Sequence, residues 1–447
     1  MAAHPRQTDE IAPRIITTVQ AQGLWEHGAR LLLAVSGGVD SAVMLHLLAT
    51  EVAPAMGVRL AVAHVNHRLR ADAAEDAAFV SARAASYGLP FLLRAVDVPA
   101  RVAETGESVE DAARTLRYAA LRAMAADADC TRIATAHTAD DQAETVLMRL
   151  LRGAGLTGLR GIPPRRGDIV RPLLSCWRRE IETYAAARNL PFRLDATNLS
   201  TAFFRNRIRH DLLPLLERDY APRLRERLAN LAELARADAA YLDGLAESRY
   251  RAVRVPIPDG IMLPFLADEA RALRWRVWRL AIADARGARE DIGYAHLAAI
   301  EALQPREAVH LPGLRVVREE GALLFLPAGN AEITIPPQAL PSPGALHFPG
   351  IGRLTAVRSP RPLPLVGGDE AVLDAASADP PLTVRGWQPG DRYRPFGAPG
   401  SRKLQDIFVD AGVPKRLRGR IPVVLDARGI IWVAGFRIAD RVKMVST

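Results

Sequence analysis

A short polar segment, rich in glycine and serine, separates an apolar run from a pattern of helical period. It consists of Ser36, Gly37, Gly38, Val39, Asp40 and Ser41. Glycines let backbone N–H groups approach a ligand, and a following helix adds partial positive charge at its N-terminus. With the serine hydroxyls as further donors, the segment predicts a cradle for phosphate or pyrophosphate, and the alternative is a tight structural turn. The Asp40 carboxylate does not suit simple anion binding, so it predicts a divalent cation that accompanies the phosphates.

Strand and helix patterns alternate in the first half of the chain. The predicted strands are Leu31–Val35, Arg59–His64, Phe91–Val96 and Arg132–Ala136. The predicted helices are Ser41–Glu51, Ala73–Tyr87, Val109–Ala126 and Ala139–Leu151. Repeated strand–helix units favour an α/β fold, with a parallel sheet and helices on both faces. Ligands of such sheets lie beyond the carboxyl ends of the strands, where the glycine-rich segment begins.

The rest of the chain predicts three further regions. The periodicity from Leu212 to about Glu301 is almost only helical, whereas Gly329–Pro381 is rich in Pro and Gly. The last segment alternates and turns at residues 427–429, which predicts a hairpin in a small α+β module. We therefore predict a catalytic domain at 1–215, a small helical substrate-binding domain at 216–328, a linker or β insert at 329–380, and a C-terminal module at 381–447.

The net charge of +9 is concentrated near the C-terminus. Residues 381–447 contain 13 Lys and Arg against 5 Asp and Glu, a surplus of 8. All three lysines of the chain, Lys403, Lys415 and Lys443, lie there. Clustered basic charge in a terminal module indicates nucleic-acid binding. The alternative is a solvated basic face in an arginine-rich chain.

Composition predicts a soluble, cytoplasmic protein. Hydrophobic residues make up 49% of the chain and charged residues 24%, and no apolar run approaches the ~18 residues that a membrane span needs. The polar start of the sequence is followed by no signal-peptide core. Cys130 and Cys176 lie far apart and form no metal or redox spacing, which favours small buried hydrophobes in a reducing compartment.

The glycine-rich segment lacks the lysine of a P-loop and the spacing of a dinucleotide fingerprint. It resembles the pyrophosphate loop of the N-type ATP pyrophosphatases, which split ATP into AMP and pyrophosphate to adenylate an oxygen. Further segments narrow the resemblance within that group. They are HVNHRLR (64–70), SVEDAARTLRY (108–118), ATAHTADDQAET (134–145), LLRGAGLTGLRGI (150–162), DATNLSTAFFRNRIRHDLLP (195–214), VRGWQPGDRYRPFG (384–397), KLQDIFVDAGVP (403–414) and IPVV (421–424). Their order and spacing resemble the tRNA(Ile)-lysidine synthase family. The resemblance is dense up to residue 214, thin over the middle of the chain and dense again after residue 384.

The resemblance implies an ATP-dependent ligase that modifies tRNA. Such an enzyme adenylates the C2 oxygen of the wobble cytidine in a tRNA(Ile) with a CAU anticodon, using ATP and Mg²⁺. The ε-amine of free L-lysine then displaces AMP and leaves lysidine, which changes codon reading from AUG to AUA. The implied partners are tRNA(Ile) and lysine, with no membrane, and the sequence leaves a homodimer open.

The resemblance also implies roles for individual residues. The segment 36–41 holds the ATP phosphates with Asp40 on Mg²⁺, while His64 and Asn66 line the nucleotide pocket. The implied catalytic residues are Asp40, His137, Asp141, Glu144, Arg114 and Arg117. Asp141 and Glu144 lie one turn apart on one helix face, where one carboxylate holds the lysine ammonium and the other accepts a proton. The two arginines suit the leaving pyrophosphate or developing negative charge.

The residues expected to contact tRNA lie in two places. They are Arg205, Arg207, Arg209, Arg392, Lys403, Arg416 and Arg418. The first three also suit closure over the active site. Thr138 stands where the family often has a second histidine, so no role is carried over to that position.

Each of these residue types also has a purely structural interpretation. The histidines at strand ends are compatible with satisfied core residues, and the acidic residues after His137 with the favourable first turn of an ordinary helix. Arg114 and Arg117 suit surface ion pairs. The arginines near residue 205 suit a solvated helix start.

Three other functions are weighed against the ligase. A tRNA thiolase shares the pyrophosphate loop, but such enzymes usually need closely placed cysteines, and Cys130 and Cys176 match no such motif. A small-molecule amide synthetase would leave the basic C-terminal module without a use. A tRNA-binding protein with a decayed site is disfavoured by the complete loop and the intact acidic helix.

Overall fold

The fold is that of a computed structural model, which describes residues 10–68, 73–193, 204–287, 292–328, 334–360 and 369–444. The chain forms two compact units, residues 1–242 and 243–447. The division between them falls within one long helix. The finer division into four parts remains a prediction.

The first unit is built on a mostly parallel sheet. Its strands are β1 (Arg30–Ala34), β2 (Arg59–Asn66), β3 (Phe91–Ala95), β4 (Arg132–Thr135), β5 (Arg165–Arg166) and β6 (Ile169–Val170). The spatial order is β3-β2-β1-β4-β6-β5, and β5 runs antiparallel to β6. Because β1 lies between β2 and β4, the glycine-rich segment follows the centre of the sheet at its carboxyl edge.

Helices connect and flank these strands. They are α1 (Ile11–Gln22), α2 (Val39–Leu47), α3 (Ala53–Met56), α4 (Ala73–Ser86), α5 (Val98–Thr105), α6 (Val109–Asp127), α7 (Ala139–Leu151), α8 (Leu156–Leu159), α9 (Arg178–Ala187), α10 (Phe204–Arg207), α11 (Leu213–Asp219) and α12 (Leu224–Val253). Two π-helical turns, Leu48–Val52 and Ile208–Leu212, continue α2 and α10. The last helix, α12, crosses the division between the two units.

The two faces of the sheet bury different cores. Leu31 and Leu33 of β1 belong to a core that includes residues of α1, α2 and α9. Leu32, between them, belongs to a second core with Leu121 and Met124 of α6. Alternate side chains of a strand point to opposite faces, and a strand buried on both faces is apolar throughout. The predicted α/β class, with helices on both faces, is confirmed.

Most element boundaries in this unit agree with the sequence-based prediction to within about two residues. The helix α7 occupies the predicted range. The prediction was less accurate for α2, which begins at Val39 because Gly38, in an extended conformation, is its N-cap. It ends at Leu47, where the chain widens into the π-helical turn.

The second unit contains two antiparallel sheets. The larger has the order β7-β8-β11-β10-β9, and the smaller β12-β15-β18-β19. The strands are β7 (Val255–Ile257), β8 (Gly260–Pro264), β9 (Ala308–Leu311), β10 (Leu314–Glu319), β11 (Ala322–Pro327), β12 (Gln338–Ala339), β13 (Gly344–Phe348), β14 (Gly352–Ala356), β15 (Thr383–Arg385), β16 (Arg392–Tyr393), β17 (Arg402–Lys403), β18 (Val423–Asp426) and β19 (Gly429–Val433). The helices are α13 (Arg271–Arg286), α14 (Tyr294–Ala302), α15 (Leu404–Asp410) and α16 (Lys415–Arg418). β13 pairs with β14 and β16 with β17 as separate hairpins, and a 3₁₀ turn at Asp440–Val442 follows.

The segment predicted to be almost entirely helical also contains strands. β7 and β8 form a hairpin inside it, and β8 pairs with β11. Leu263 of β8 and Phe325 of β11 are buried together with Trp278 of α13. Strands of three to five residues are too short for a reliable alternating pattern, so the flanking helical periodicity concealed them. The C-terminal hairpin predicted to turn at residues 427–429 is present as β18–β19.

One helical stretch, Val39–Met56, meets the length and composition criteria of a membrane span, with a mean hydropathy of 1.2 over 18 residues. The sequence-based statement that no apolar run approaches this length overlooked it, because His46, Thr50 and Glu51 interrupt the run. In the structure 56% of the stretch is buried. Its residues pack in the core beneath β1.

The loop after α7 is anchored by the buried side-chain amide of Gln142. Its Oε1 accepts from the N–H of Ile162 at 2.5 Å, and its Nε2 donates to the carbonyl of the same residue at 3.2 Å. Gly161 packs against this amide with φ of +59°, and a Cβ there would overlap the amide oxygen. The amide therefore requires glycine at this position.

Gly161→Ala should destabilise the protein by about 2 kcal/mol, because it adds a steric overlap to the cost of a left-handed backbone. Gly153→Ala is the matched control, since Gly153 has φ of +74° and no atom within 4 Å of the added Cβ. We expect it to cost about 1 kcal/mol. Thermal unfolding of the two variants measures the difference. Equal melting temperatures would contradict the proposed overlap.

Candidate active site

The glycine-rich segment forms a loop that the Ser41 hydroxyl holds closed. Ser41 Oγ accepts from the N–H groups of Ser36 and Gly37, each at 3.2 Å. It donates to the carbonyl of Gly38 at 2.9 Å. Gly37 has φ of +94°, which favours glycine, and the leading N–H groups of α2 lack partners inside the helix. The loop is therefore a cradle of backbone donors, with Ser41 shaping it, whereas the sequence predicted a hydroxyl donor to phosphate.

Asp40 lies partly buried in the first turn of α2. Its Oδ2 is 3.2 Å from Nη1 of Arg178. Its buried Oδ1 has no hydrogen-bond partner among the described residues. Burial raises the pKa of Asp40 to about 6, against the opposing charge of Arg178. A buried oxygen without a partner is costly, and Mg²⁺ binds carboxylate oxygens, so Asp40 fits the predicted cation.

Protein side chains alone do not form a complete metal site in the described ranges. No three His, Cys, Asp or Glu of the described residues lie close enough together to hold an ion. Mg²⁺ is usually bound through one or two carboxylates together with substrate phosphates. Phosphate oxygens in the cradle would therefore complete the coordination that Asp40 begins.

Three polar side chains lie near the carboxyl end of β2. The Nδ1 of buried His64 is 2.9 Å from the carbonyl of Val35, and Asn66 Oδ1 accepts from the backbone N–H of Arg68 at 2.8 Å. These contacts fix the two residues beside the cradle. His67, in the same HVNHRLR segment, is not among the site residues that the sequence predicts. Its buried Nδ1 has no partner among the described residues, and burial lowers its pKa to about 4.

A hydrogen-bonded cap at the start of α7 sets the orientation of Asp141. The N–H of Thr138 donates to Asp141 Oδ2 at 2.8 Å, and the N–H of Asp141 donates to Thr138 Oγ1 at 3.4 Å. This reciprocal arrangement is a capping box. Thr138 is thus a buried helix cap in this chain, at the position where the family often has histidine.

Asp141 and Glu144 face two arginines from the chain that follows α9. Arg205 donates to Asp141 at 2.8 Å and to Glu144 at 3.0 Å. Arg209 donates to Asp141 at 3.0 Å and to Glu144 at 2.5 and 2.9 Å. Glu144 is fully buried. The two arginines predicted to contact tRNA are therefore engaged with the acidic pair, which agrees with the alternative that they close over the active site.

The charges around Asp141 decide its protonation. Burial alone would raise the pKa of Asp141, but the charges of Arg205 and Arg209 and the hydrogen bond from the Thr138 N–H outweigh burial and hold it below the usual range. The carboxylate is consequently ionised at neutral pH. It is a weak proton acceptor and a strong partner for cations.

His137 lies between β4 and α7, with its Nδ1 3.0 Å from Oγ1 of Thr135. Burial lowers its pKa below the usual range; Asp141 opposes this shift, while Arg171 and Arg117 reinforce it. The ring is therefore neutral at neutral pH. A neutral imidazole in a polar site can accept or share a proton.

Arg114 and Arg117 lie one turn apart on α6. The guanidinium of each is 5.3 Å from the ring of Tyr118. Arg114 is exposed, whereas Arg117 is half-buried, and its charge contributes to the low pKa values of His67 and His137. The structure therefore brings Arg117 to the site, and Arg114 lies toward the solvent beside it.

The C-terminal residues predicted to bind tRNA differ in the contacts that their side chains make with the rest of the protein. Arg392 and Lys403 are exposed and directly opposite each other in the β16–β17 hairpin, where Arg392 also donates to the carbonyl of Ser401 at 3.3 Å. The Nη1 of Arg416 instead donates to both carboxylate oxygens of Asp259, each at 2.9 Å. Arg418 donates to the carbonyl of Val413 at 3.2 Å. Arg392 and Lys403 are consequently better placed for a phosphate than Arg416.

Sequence patterns did not indicate Arg178, which lies 138 positions after its partner Asp40. Its backbone N–H also donates to Asp140 at 2.8 Å, and its Nε donates to Glu182 at 2.9 Å. The start of α9 is thereby tied to both α2 and α7. No local motif marks such a contact, so only the folded arrangement reveals it.

Comparison with known proteins agrees with this geometry. A family model described as a PP-loop domain matches residues 9–216, and one described as the TilS substrate C-terminal domain matches residues 382–445. A tRNA(Ile)-lysidine synthase of Geobacter sulfurreducens is 38% identical and covers 98% of this chain and 95% of its own. Those of Symbiobacterium thermophilum (37%; 96% and 94%) and Solibacter usitatus (36%; 92% and 94%) are similar at comparable coverage. With relatives this similar along nearly their whole length, the chain belongs to the tRNA(Ile)-lysidine synthase family.

Proposed function

We propose that the protein is a cytoplasmic ligase that joins L-lysine to C2 of the wobble cytidine in a CAU-anticodon tRNA(Ile). In the first step the C2 oxygen attacks the α-phosphorus of ATP, and pyrophosphate leaves. In the second step the ε-nitrogen of lysine attacks C2, and AMP leaves with the oxygen. The observation that carries the proposal is the backbone cradle followed, in the first turn of α2, by the buried Oδ1 of Asp40, which has no hydrogen-bond partner in the described part of the chain.

The first step needs the negative charge of the phosphates to be neutralised. The backbone N–H groups of residues 38–41, at the start of α2, bind the departing pyrophosphate. Asp40 would hold the Mg²⁺, which would supply Lewis-acid charge. Arg117 adds a fixed positive charge from α6, close enough to act on His67 and His137. These groups are preorganised, so they need little rearrangement as charge develops.

The second step needs a site for free lysine, which has an α-ammonium, an α-carboxylate and a second ammonium on its side chain. Asp141 and Glu144 supply two carboxylates, and Arg205 and Arg209 supply two guanidiniums in the same network. Lysine carries the same two kinds of charge, so it enters by exchanging partners with this network. Both oxygens of Asp141 already accept hydrogen bonds, Oδ2 from Thr138 and Oδ1 from Arg205 and Arg209. We therefore assign the acceptance of the ammonium proton to the ring of His137.

The thiolase alternative lacks a reactive thiol. Burial raises the pKa of both Cys130 and Cys176, and Cys176 is fully buried. Thiolates, which sulfur transfer requires, are disfavoured at both positions. No feature of the described residues favours this second function over the ligase.

A set of omission reactions tests the proposal. The purified protein with ATP, Mg²⁺ and a tRNA(Ile) transcript should exchange pyrophosphate into ATP without lysine. Added lysine should convert the transcript to lysidine and release AMP. A tRNA carrying uridine at the wobble position is the matched negative substrate. Pyrophosphate exchange that depends on lysine alone would contradict the proposed order of steps.

The exposed C-terminal cations give a separate prediction about tRNA affinity. Arg392→Gln with Lys403→Gln should lower the slope of log affinity against log salt by about 2, because each lost phosphate contact removes about 0.9. Arg416→Gln is the informative comparison, since its guanidinium is paired with Asp259. We expect that variant to lower the melting temperature with little change in slope. Filter binding across a salt series measures the slope for the wild type and both variants, and thermal unfolding measures the melting temperature. An unchanged slope in the double variant together with a lower slope in Arg416→Gln would contradict the assignment of Arg392 and Lys403 to phosphate contacts.

A further inference from the structure

A partly exposed aromatic ring near the end of α7 makes cation–π contacts with two arginines. Phe204, the first residue of α10, is 36% exposed. The guanidinium carbons of Arg152 and Arg207 are each 5.7 Å from its ring centroid. Both arginines are exposed. Neither pairs with a carboxylate among the described residues. About a third of the residue therefore remains open to solvent beside two cations.

This ring is directly connected to the acidic pair of the active site. The next residue, Arg205, donates to both Asp141 and Glu144. Arg152 is the C-cap of α7, the helix that carries the same two carboxylates. The ring is therefore fixed to the active-site network by the residue beside it, and it lies on the solvent side.

The surroundings of this helix end are positive. Burial lowers the pKa of Arg149, one turn before Arg152, and the charges of Arg160, Arg166 and Arg114 lower it further. No acidic residue is among the causes of that shift. A region in which guanidiniums act mainly on one another is complementary to a polyanion.

We propose that Phe204, flanked by Arg152 and Arg207, is a stacking platform for one unpaired base of the tRNA anticodon loop, next to the cytidine that is modified. The inference rests on the proposed function. Bases stack on exposed aromatic rings, and guanidiniums beside the ring pair with the adjoining phosphates. A base held there keeps its neighbour close to Asp141 and Glu144, because Arg205 joins the ring to those residues.

Phe204→Ala should raise the dissociation constant for tRNA(Ile) about tenfold, the usual effect of losing one stacked base. Phe204→Tyr keeps the ring and should bind like the wild type. The matched control is Tyr220→Ala, which removes a ring that is 76% exposed in the same unit. Thermal melting of each variant identifies any that is misfolded, and Phe204→Leu then serves as a second ring-free variant.

A fluorescent base locates the contact. We place 2-aminopurine on either side of the target cytidine in an anticodon stem-loop, because its fluorescence is quenched by stacking. Quenching at one position with the wild type and Phe204→Tyr, lost in Phe204→Ala, is expected. Equal affinity and quenching in all three, with a wild type that forms lysidine, would overturn the platform alone. A wild type that forms no lysidine would overturn the proposed function and this inference with it.

Discussion

Asp40→Asn is expected to lower the rate of tRNA adenylation by on the order of 10²-fold or more. An amide keeps the size of the side chain but removes the charge that a divalent cation needs. The wild-type Oδ1 is buried and has no hydrogen-bond partner among the described residues, so no protein group there takes the place of a cation. Release of pyrophosphate in a single turnover on tRNA(Ile) measures the loss.

The expected defect is confined to chemistry at the phosphates. Binding of tRNA should be unchanged, because Asp40 lies in the cradle and not on a basic surface. Glu182→Gln is the matched control: Glu182 accepts from Nε of Arg178, whereas Asp40 accepts from Nη1 of the same guanidinium. That variant should adenylate within about twofold of the wild type. If Asp40→Asn adenylates tRNA at the wild-type rate, Asp40 does not hold the cation.

Local patterns predicted the parts of the fold that local interactions determine. The apolar run of β1 and the glycines after it place the cradle at a strand end, because these residues fix the backbone over a few positions. The range of α7 was predicted without error, since Thr138 and Asp141 form a capping box within one turn. The short β7–β8 hairpin was missed, because three residues of alternation carry little information against the long helices around it.

The partners of the site residues could not be predicted from spacing. Asp141 and Glu144 were correctly placed on one face of α7, but the guanidiniums that bind them come from more than sixty positions later. Residue spacing left two interpretations of Arg205, a tRNA contact and closure over the active site. Its ion pairs with Asp141 and Glu144 in the folded chain favour the second. Arg416 is a similar case, since its pairing with Asp259 joins positions 157 apart.

Glu144→Gln should raise the KM for lysine by on the order of 10²-fold and slow lysidine formation, while adenylation continues. Glu144 is fully buried, and its negative charge neutralises part of the positive charge of Arg205 and Arg209. Losing one partner of such a network leaves buried positive charge that repels the ammonium of lysine, a penalty of about 2–5 kcal/mol. Adenylated tRNA and lysidine are followed separately in single-turnover reactions across a lysine series.

The matched control is Asp140→Asn, in the same turn of α7. Asp140 accepts from the backbone N–H of Arg178 and pairs with Arg225 at 3.1 Å, away from the pair that binds Arg205. We expect this variant to lose some thermal stability and to keep the wild-type KM for lysine. A lysine analogue without the α-carboxylate adds a second measurement, because it leaves Arg205 and Arg209 without that partner and should be a poor substrate even for the wild type. If Glu144→Gln instead fails to form adenylate while its lysine affinity stays normal, the acidic pair acts in phosphate chemistry. The assignment of adenylation to α2 and of lysine binding to α7 is then wrong.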